Sequence, residues 1–122
     1  VLGDSDQLAQ VFRNLVENAI RYGRADSTVT VTLQAVARIP ERSGPGVAAI
    51  VADQGEGIPP DALPRLTERF YRVDKARSQA LGGTGLGLAI VKHIVGRHRG
   101  RLVIDSRPGQ GSRFTVFLPV AP

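Results

Sequence analysis

The apolar positions of the chain follow a helical period in two long segments. Residues 5–22 and 86–98 each carry apolar side chains three or four positions apart, which predicts two amphipathic helices. Gly23 is expected to end the first helix. The positions that define the inner faces are Leu8, Val11, Phe12, Leu15 and Ala19 in the first helix and Leu88, Val91, Ile94 and Val95 in the second.

The residues before the first helix predict how it begins. Asp4 and Gln7 have the spacing of a capping box, in which Asp4 accepts from backbone amides and Gln7 reaches back to the amide of Asp4. Residues 1–4 resemble the end of a strand, so the chain is expected to begin inside a longer protein.

Four further segments predict strands. Residues 28–36 alternate between apolar and polar side chains, as a half-buried strand does, and residues 47–52 form a short apolar run typical of a buried strand. Residues 102–104 and 113–118 predict two last strands, joined by a turn at 108–111. The remaining segments are a predicted loop at 38–46, a short predicted helix at 61–68 after Pro59 and Pro60, and a stretch without a period at 71–84.

This order of elements predicts an α+β fold. The order helix, strand, strand, helix, strand, strand lacks the alternation of a doubly wound parallel sheet. We expect a two-layer sandwich in which about three helices cover one face of a mixed, mostly antiparallel sheet. The length of 122 residues suits one domain, spanning residues 1–122.

Composition and charge exclude several classes of function. The chain has no cysteine, which excludes disulfides and thiolate metal sites, and no apolar run approaches the roughly 20 residues needed to span a membrane. The formal charge is +5, but acidic residues interrupt the basic cluster at 65–77 and aromatic residues are few, so we expect no nucleic-acid binding. We also expect no membrane contact by this segment.

The first helix carries a polar stripe beside its apolar face. Asn14, Asn18 and Arg21 or Tyr22 lie one turn apart, and asparagine is a poor choice for a helix interior without a reason. An amide oxygen is a ligand suited to magnesium, while an arginine and a tyrosine suit a phosphate and an aromatic ring. The alternative is a pair of solvated asparagines on the outer face.

A short loop follows the predicted strand at 47–52. Asp53 ends the strand, and Gly55 and Gly57 would let the backbone pass close to a ligand. The Asp53 carboxylate could accept a hydrogen bond from an exocyclic amine such as that of adenine. The alternative is an ordinary turn, since Asp and Gly are common turn residues.

A glycine-rich stretch at 82–88 runs directly into the second predicted helix. Such a stretch presents backbone amides and the positive end of the helix dipole, which suits a phosphate. It is neither a Walker loop nor a dinucleotide fingerprint. His93 and His98 have no paired acid or cysteine, so we interpret both as structural or surface histidines.

Together these motifs resemble the catalytic and ATP-binding domain of bacterial sensor histidine kinases, which has the Bergerat fold of gyrase-type ATPases, Hsp90 chaperones and MutL proteins. Residues 14–22 resemble the N box, 53–59 the first glycine box, 68–74 the F box, 83–90 the second glycine box and 109–119 the closing strand. Residues 81–83, 92–94 and 97–100 resemble more narrowly the phosphate-regulon sensors of the PhoR type.

The resemblance implies a role for each matching residue. Asn18 would bind Mg²⁺, Asn14 would lie near the phosphates and Arg72 would reach the terminal phosphate, so these three are the expected catalytic residues. Asp53 would bind the adenine amino group, and residues 59–82 would form the ATP lid. The residues expected to contact ATP are Arg21, Tyr22, Asp53, Gly55, Gly57, Ile58, Phe70, Gly83, Thr84, Gly85, Leu86, Gly87 and Leu88.

One position separates a kinase from an ATPase. An ATPase of this fold carries a glutamate four residues before the magnesium-binding asparagine, where this chain has Asn14, and an amide cannot take a proton. Glu17 is about 100° around the helix from Asn18. The resemblance therefore implies a histidine kinase that uses Mg-ATP, with a non-catalytic nucleotide sensor or a serine-directed anti-sigma-type kinase as alternatives.

The same resemblance implies partners and a location. The histidine that accepts the phosphate would lie on a separate dimerisation domain of the same parent protein, because neither His93 nor His98 has a phosphoacceptor context. A response regulator would act downstream. The segment would be a cytoplasmic part of an inner-membrane sensor kinase.

Overall fold

The computed structural model describes residues 3–22, 27–40, 44–55, 87–107 and 109–120. Within these ranges the chain forms two helices and four strands. They are helix α1 at Ser5–Tyr22, strand β1 at Thr30–Val36, strand β2 at Gly46–Asp53, helix α2 at Gly87–Arg97, strand β3 at Arg101–Arg107 and strand β4 at Gly111–Pro119. The predicted helix at 61–68 lies outside the described residues.

The four strands form one sheet in the order β1-β2-β4-β3, and every neighbouring pair is antiparallel. The predicted α+β class and the antiparallel pairing are therefore confirmed. The central pair, β2 and β4, joins strands that are distant in the sequence. Its register brings Asp53, the last residue of β2, opposite Ser112 near the start of β4.

The core lies between the sheet and the two helices. Val51, Phe114 and Val116 point to one face of β2 and β4, because residues two apart on a strand share a face. The inner faces of both helices pack against them, as their apolar periods predicted, except that Phe12 is partly buried outside this core. The buried cluster consists of Val11, Leu15, Ala19, Val51, Val91, Ile94, Val95, Phe114, Val116 and Leu118.

Strand β1 departs from the prediction of a half-buried strand. Val31 and Leu33 are 54% and 72% exposed, although their register places them on the face that carries the core. The reason is position, since β1 is at the edge of the sheet whereas α1 packs over β2. Alternation in the sequence reports the two faces of a strand but not whether another element covers them.

The start of α1 confirms one half of the predicted capping box. The Gln7 amide donates to the Asp4 carboxylate (Oδ1) at 3.0 Å, as an N-cap requires. The backbone N–H of Asp4 donates instead to Nε2 of His98, also at 3.0 Å, so the reciprocal bond expected from the Gln7 side chain is wrong. Gly3 and Asp4 are not in a strand, and residues 1 and 2 lie outside the described ranges.

Helix α2 ends in a Schellman motif. The amide of Gly100 donates to the carbonyl of Val95 at 2.9 Å, and the amide of Arg99 donates to that of Gly96 at 3.1 Å. This geometry requires a left-handed residue, and Arg99 takes it with φ at 58°. A non-glycine residue in that region carries conformational strain.

Candidate functional site

The carboxyl end of β2 presents a fixed carboxylate. One oxygen of the Asp53 carboxylate, Oδ1, accepts the backbone N–H of Gly55 at 2.8 Å. Gly55 is buried and Asp53 is partly buried. The bond holds the plane of the carboxyl group, so the second oxygen, on the other side of the group, has a defined direction.

Two serines lie at the same end of the sheet as Asp53, one on each of the next two strands. Ser112 is paired with Asp53 on one side and with Ser106 of β3 on the other. The hydroxyls of Ser106 and Ser112 are 2.9 Å apart, and the Ser106 hydroxyl also donates to the carbonyl of Gly111 at 3.1 Å. Ser112 is buried, so this end of the sheet places a buried serine directly across from Asp53.

The sequence motifs do not mark Ser106 or Ser112 as site residues. A serine after a glycine-rich turn is common, and only the pairing of β2 with β4 brings Ser112 to Asp53. The sequence signal that could have found it is the position directly after Gly111, where a strand starts from a tight turn.

Gly111 packs directly against the loop that carries Asp53. Its φ is 95°. A Cβ atom on Gly111 would overlap the backbone carbonyl of Asp53 and would lie 3.1 Å from Cα of Gln54. The start of β4 thus packs against the backbone of the loop that carries Asp53.

The asparagine stripe of α1 faces the start of α2. The side-chain amide of Asn14 donates to the backbone carbonyl of Gly87 at 3.4 Å. Asn14 and Asn18 are both partly buried, which disfavours the alternative of two solvated asparagines on the outer face. Glu17 is exposed.

Of the glycine-rich stretch at 82–88, the structure describes Gly87 and Leu88. Gly87 is the first residue of α2, so its amide belongs to the helix terminus that favours anions. Leu88 is partly buried and packs against the core cluster. The contact between Asn14 and Gly87 brings the asparagine stripe of α1 to the end of the glycine-rich stretch.

Several predicted site residues lie outside the described residues. Arg21 and Tyr22 are in the last turn of α1, but their side chains are not described. The other predicted site residues that lie there are Gly57, Ile58, Phe70, Arg72, Gly83, Thr84, Gly85 and Leu86. The whole predicted lid, at 59–82, and the F box, at 68–74, also lie outside the described residues. The roles expected for all of these residues stay predictions.

In the described part of the chain, no group of three or more His, Cys, Asp or Glu side chains could hold a metal ion.

The family is decided by a match over nearly the full length. The model of the family described as "Histidine kinase-, DNA gyrase B-, and HSP90-like ATPase" matches residues 3–122. The chain belongs to this family. The resemblance inferred from the five motifs is thereby confirmed.

Members of this family with similar sequences are sensor kinases. The sensor-like histidine kinase SenX3 of Mycolicibacterium smegmatis is 45% identical over 122 residues, which is 100% of this chain and 30% of that protein. The phosphate regulon sensor protein PhoR of Pseudomonas aeruginosa is 48% identical over 118 residues, 96% of this chain and 25% of that protein. The chain thus spans less than a third of the length of these relatives.

Solved structures share the fold, and one of them is a sensor histidine kinase. The mycobacterial sensor histidine kinase MprB superposes with a TM-score of 0.83 at 35% identity, covering 100% of this chain and 78% of that one. Full-length ShkA in complex with AMPPNP has a TM-score of 0.78 at 32% identity, over 98% of this chain and 22% of that one. Among the described residues, no helix has the length and hydropathy of a membrane span.

Proposed function

We propose that this chain binds Mg-ATP and donates the γ-phosphate to a histidine on a separate dimerisation and phosphoacceptor domain of its parent protein. A response regulator would receive the phosphate in turn. The observation that carries the proposal concerns Asn14, which stands where an ATPase of this fold has its general base. The Asn14 side chain is an amide, and its N–H donates to the carbonyl of Gly87.

The chemistry of Asn14 favours transfer over hydrolysis. A water molecule becomes a nucleophile when a nearby group takes its proton, and an amide cannot do so. Glu17, the acidic residue nearest to Asn18 along the helix, is exposed. Phosphoryl transfer to a histidine needs ATP to be held in position and its charge neutralised, and the acceptor supplies its own nucleophile.

Asp53 is the residue that we propose recognises adenine. Its carboxylate is held by the Gly55 amide at 2.8 Å, so the second oxygen could accept from the exocyclic amine of adenine without a loss of side-chain freedom on binding. Gly55 and Gly57 would leave room for the base. Ser112 lies opposite Asp53 and adds a hydroxyl to the same end of the sheet.

Asn18 is the proposed magnesium ligand. Its partly buried amide oxygen is a hard, neutral ligand, and it lies one helical turn from Asn14 on the stripe that faces Gly87. A bound Mg²⁺ would supply neutralisation of phosphate charge. Asn18 would orient the ion, while Gly87 and the residues before it would hold the phosphates by their amides.

The remaining roles come from the family pattern. Arg21 would contact phosphate, Tyr22 would pack on adenine, Phe70 would anchor the lid and Arg72 would reach the γ-phosphate. The residues proposed to complete the pocket are Ile58, Gly83, Thr84, Gly85, Leu86 and Leu88. We propose that residues 1–122 form one catalytic unit, located in the cytoplasm as part of an inner-membrane sensor kinase.

The test is phosphotransfer from γ-labelled ATP to a supplied helical domain that bears a phosphoacceptor histidine. We expect label on the supplied domain only when this chain is present, and no label on this chain alone. Asn18→Ala should abolish transfer, whereas Thr32→Ala, an exposed change on β1, should leave transfer unchanged.

The outcome also separates the alternative functions. Phosphohistidine is labile in acid and phosphoserine is stable, so acid treatment identifies the acceptor. ATP binding without transfer would support a nucleotide sensor, and acid-stable label on a serine would support an anti-sigma-type kinase. Transfer by Asn18→Ala at the wild-type rate would contradict the proposed magnesium site.

A further inference from the structure

The ring of His98 is bonded at both nitrogens. Nε2 accepts the backbone N–H of Asp4 at 3.0 Å, and Nδ1 lies 2.8 Å from the carbonyl oxygen of Ile94. A backbone N–H only donates and a carbonyl only accepts, so the ring must carry its proton on Nδ1. One neutral tautomer alone satisfies both bonds, which makes the contact specific to histidine.

The same ring packs against the residue before Asp4. A Cβ atom on Gly3 would lie 2.5 Å from Cδ2 and 2.7 Å from Nε2 of His98. No real Cβ contact is that short, so any side chain at position 3 would displace the ring. The start of α1 is therefore held to the end of α2 by a close contact as well as by a hydrogen bond.

A second contact joins the same two helices at the candidate site. Asn14 donates to Gly87 at 3.4 Å. Ten positions separate Asp4 from Asn14 and eleven separate Gly87 from His98, so at about 1.5 Å per residue the two spans are roughly equal, about 15 and 17 Å. The helices run antiparallel and are fastened at both ends of this shared span.

We propose that His98 is a positioning residue that transmits the position of Gly3 and Asp4 to Gly87. Because α2 is a rigid element of 11 residues, a shift of its end at His98 moves its start as well. The contact at Asn14 then changes with it. The backbone at the start of α1 is thus mechanically linked to the Gly87 end of α2 through one imidazole ring.

The experiment combines nuclear magnetic resonance with a double-mutant cycle on the 122-residue chain. In the wild type we expect a neutral His98 ring protonated at Nδ1, and an Asp4 amide whose hydrogen exchange is at least about tenfold slower than in His98→Ala. Gly3→Ala should lower the melting temperature by about 4 °C or more. It should also shift the amide resonances of Gly87 and Leu88.

The cycle isolates the role of the ring. In a His98→Ala background, Gly3→Ala should cost less than half as much and should no longer shift the Gly87 and Leu88 amides. In a His93→Ala background both effects should persist, because His93 is exposed on the same helix. His98→Gln, which keeps one acceptor and one donor, should restore part of the Asp4 protection.

Three results would overturn the proposal. The first is a His98 ring protonated at Nε2. The second is a shift of the Gly87 amide resonance by Gly3→Ala that persists in the His98→Ala background. The third is a Gly3→Ala single variant whose Gly87 amide resonance does not shift. If Gly3→Ala does not fold, the tautomer and the Asp4 exchange rate still test the contact. None of these readouts involves ATP, so their failure would leave the proposed function untouched.

Discussion

The Asp53 carboxylate accepts the backbone N–H of Gly55 at 2.8 Å, and this bond decides which atom of residue 53 would face a ligand. In Asp53→Asn the amide oxygen would keep the bond to Gly55, so the new NH₂ group would take the place of the second oxygen. A donor would then meet the donor amine of adenine.

We expect Asp53→Asn to weaken ATP binding by about 30-fold or more, equivalent to roughly 2 kcal/mol for a buried donor left without an acceptor. Binding of GTP, whose base presents a carbonyl at that position, should fall less. Titration calorimetry with both nucleotides measures the ratio. Asp105→Asn, the same change on an exposed residue of β3, is the control, and equal ATP affinity in the two variants would refute the adenine contact.

Asn14→Asp should weaken nucleotide binding by about tenfold. The substitution replaces the donor that meets the Gly87 carbonyl at 3.4 Å by an oxygen that repels it, and such a change costs on the order of 1.5 kcal/mol. Nucleotide titrations of Asn14→Asp and of Gln34→Glu, which adds the same charge on exposed β1, make the comparison. A similar loss in both would mean that the added charge, and not the Gly87 contact, is responsible.

Gly111→Ala should destabilise the fold more than Gly109→Ala. Both glycines have positive φ, 95° and 80°, so both substitutions introduce backbone strain of about 1 kcal/mol. Only at Gly111 would the new Cβ overlap the Asp53 backbone, whereas at Gly109 it would have no neighbour within 4 Å. We expect a further loss of about 1–3 kcal/mol in the free energy of unfolding for Gly111→Ala. Equal midpoints in denaturant titrations would contradict this packing.

Arg99→Gly should stabilise the chain. Arg99 holds a left-handed conformation with φ at 58°, which glycine adopts without a steric penalty, and we expect a gain of about 0.5–1 kcal/mol in the free energy of unfolding. Arg97→Gly removes the same charge within the last turn of α2 and should instead cost up to about 1 kcal/mol. Thermal melts of the pair report the difference in sign, and a loss of stability in both would refute it.

Local patterns predicted the elements of the described fold well. The apolar period and the Asp4 cap predicted the start of α1 at Ser5, since both signals lie in the segment itself. Gly23, which was expected to end this helix, lies outside the described residues. The strands were found for the same reason, although the ends of β3 and β4 extend beyond the predicted ranges. Pairing with a neighbouring strand extends each strand by residues without apolar side chains, and the apolar pattern does not predict such residues.

Contacts between distant segments were harder to predict. Alternation could not reveal that Val31 and Leu33 would be exposed on an edge strand. The Gln7 side chain of a capping box must compete for the Asp4 amide with any other acceptor that lies close to it in the fold. That acceptor is His98, 94 positions away in the sequence. Within the candidate site, the motifs identified Asn14 and Gly87 separately. Their contact could not be predicted, because it depends on how α1 and α2 pack in the folded chain.

The pairing of β2 with β4 has a consequence for how the site is acquired. Asp53 and Ser112 are neighbours in the sheet yet 59 positions apart in the chain, so their meeting closes a long loop and carries a large entropic cost during folding. The carboxylate gains its buried neighbour only when the last strand docks. A chain cut before Gly111 would keep the asparagine stripe and both glycine boxes. It would lack β4, the strand that completes the end of the sheet where the base is proposed to bind.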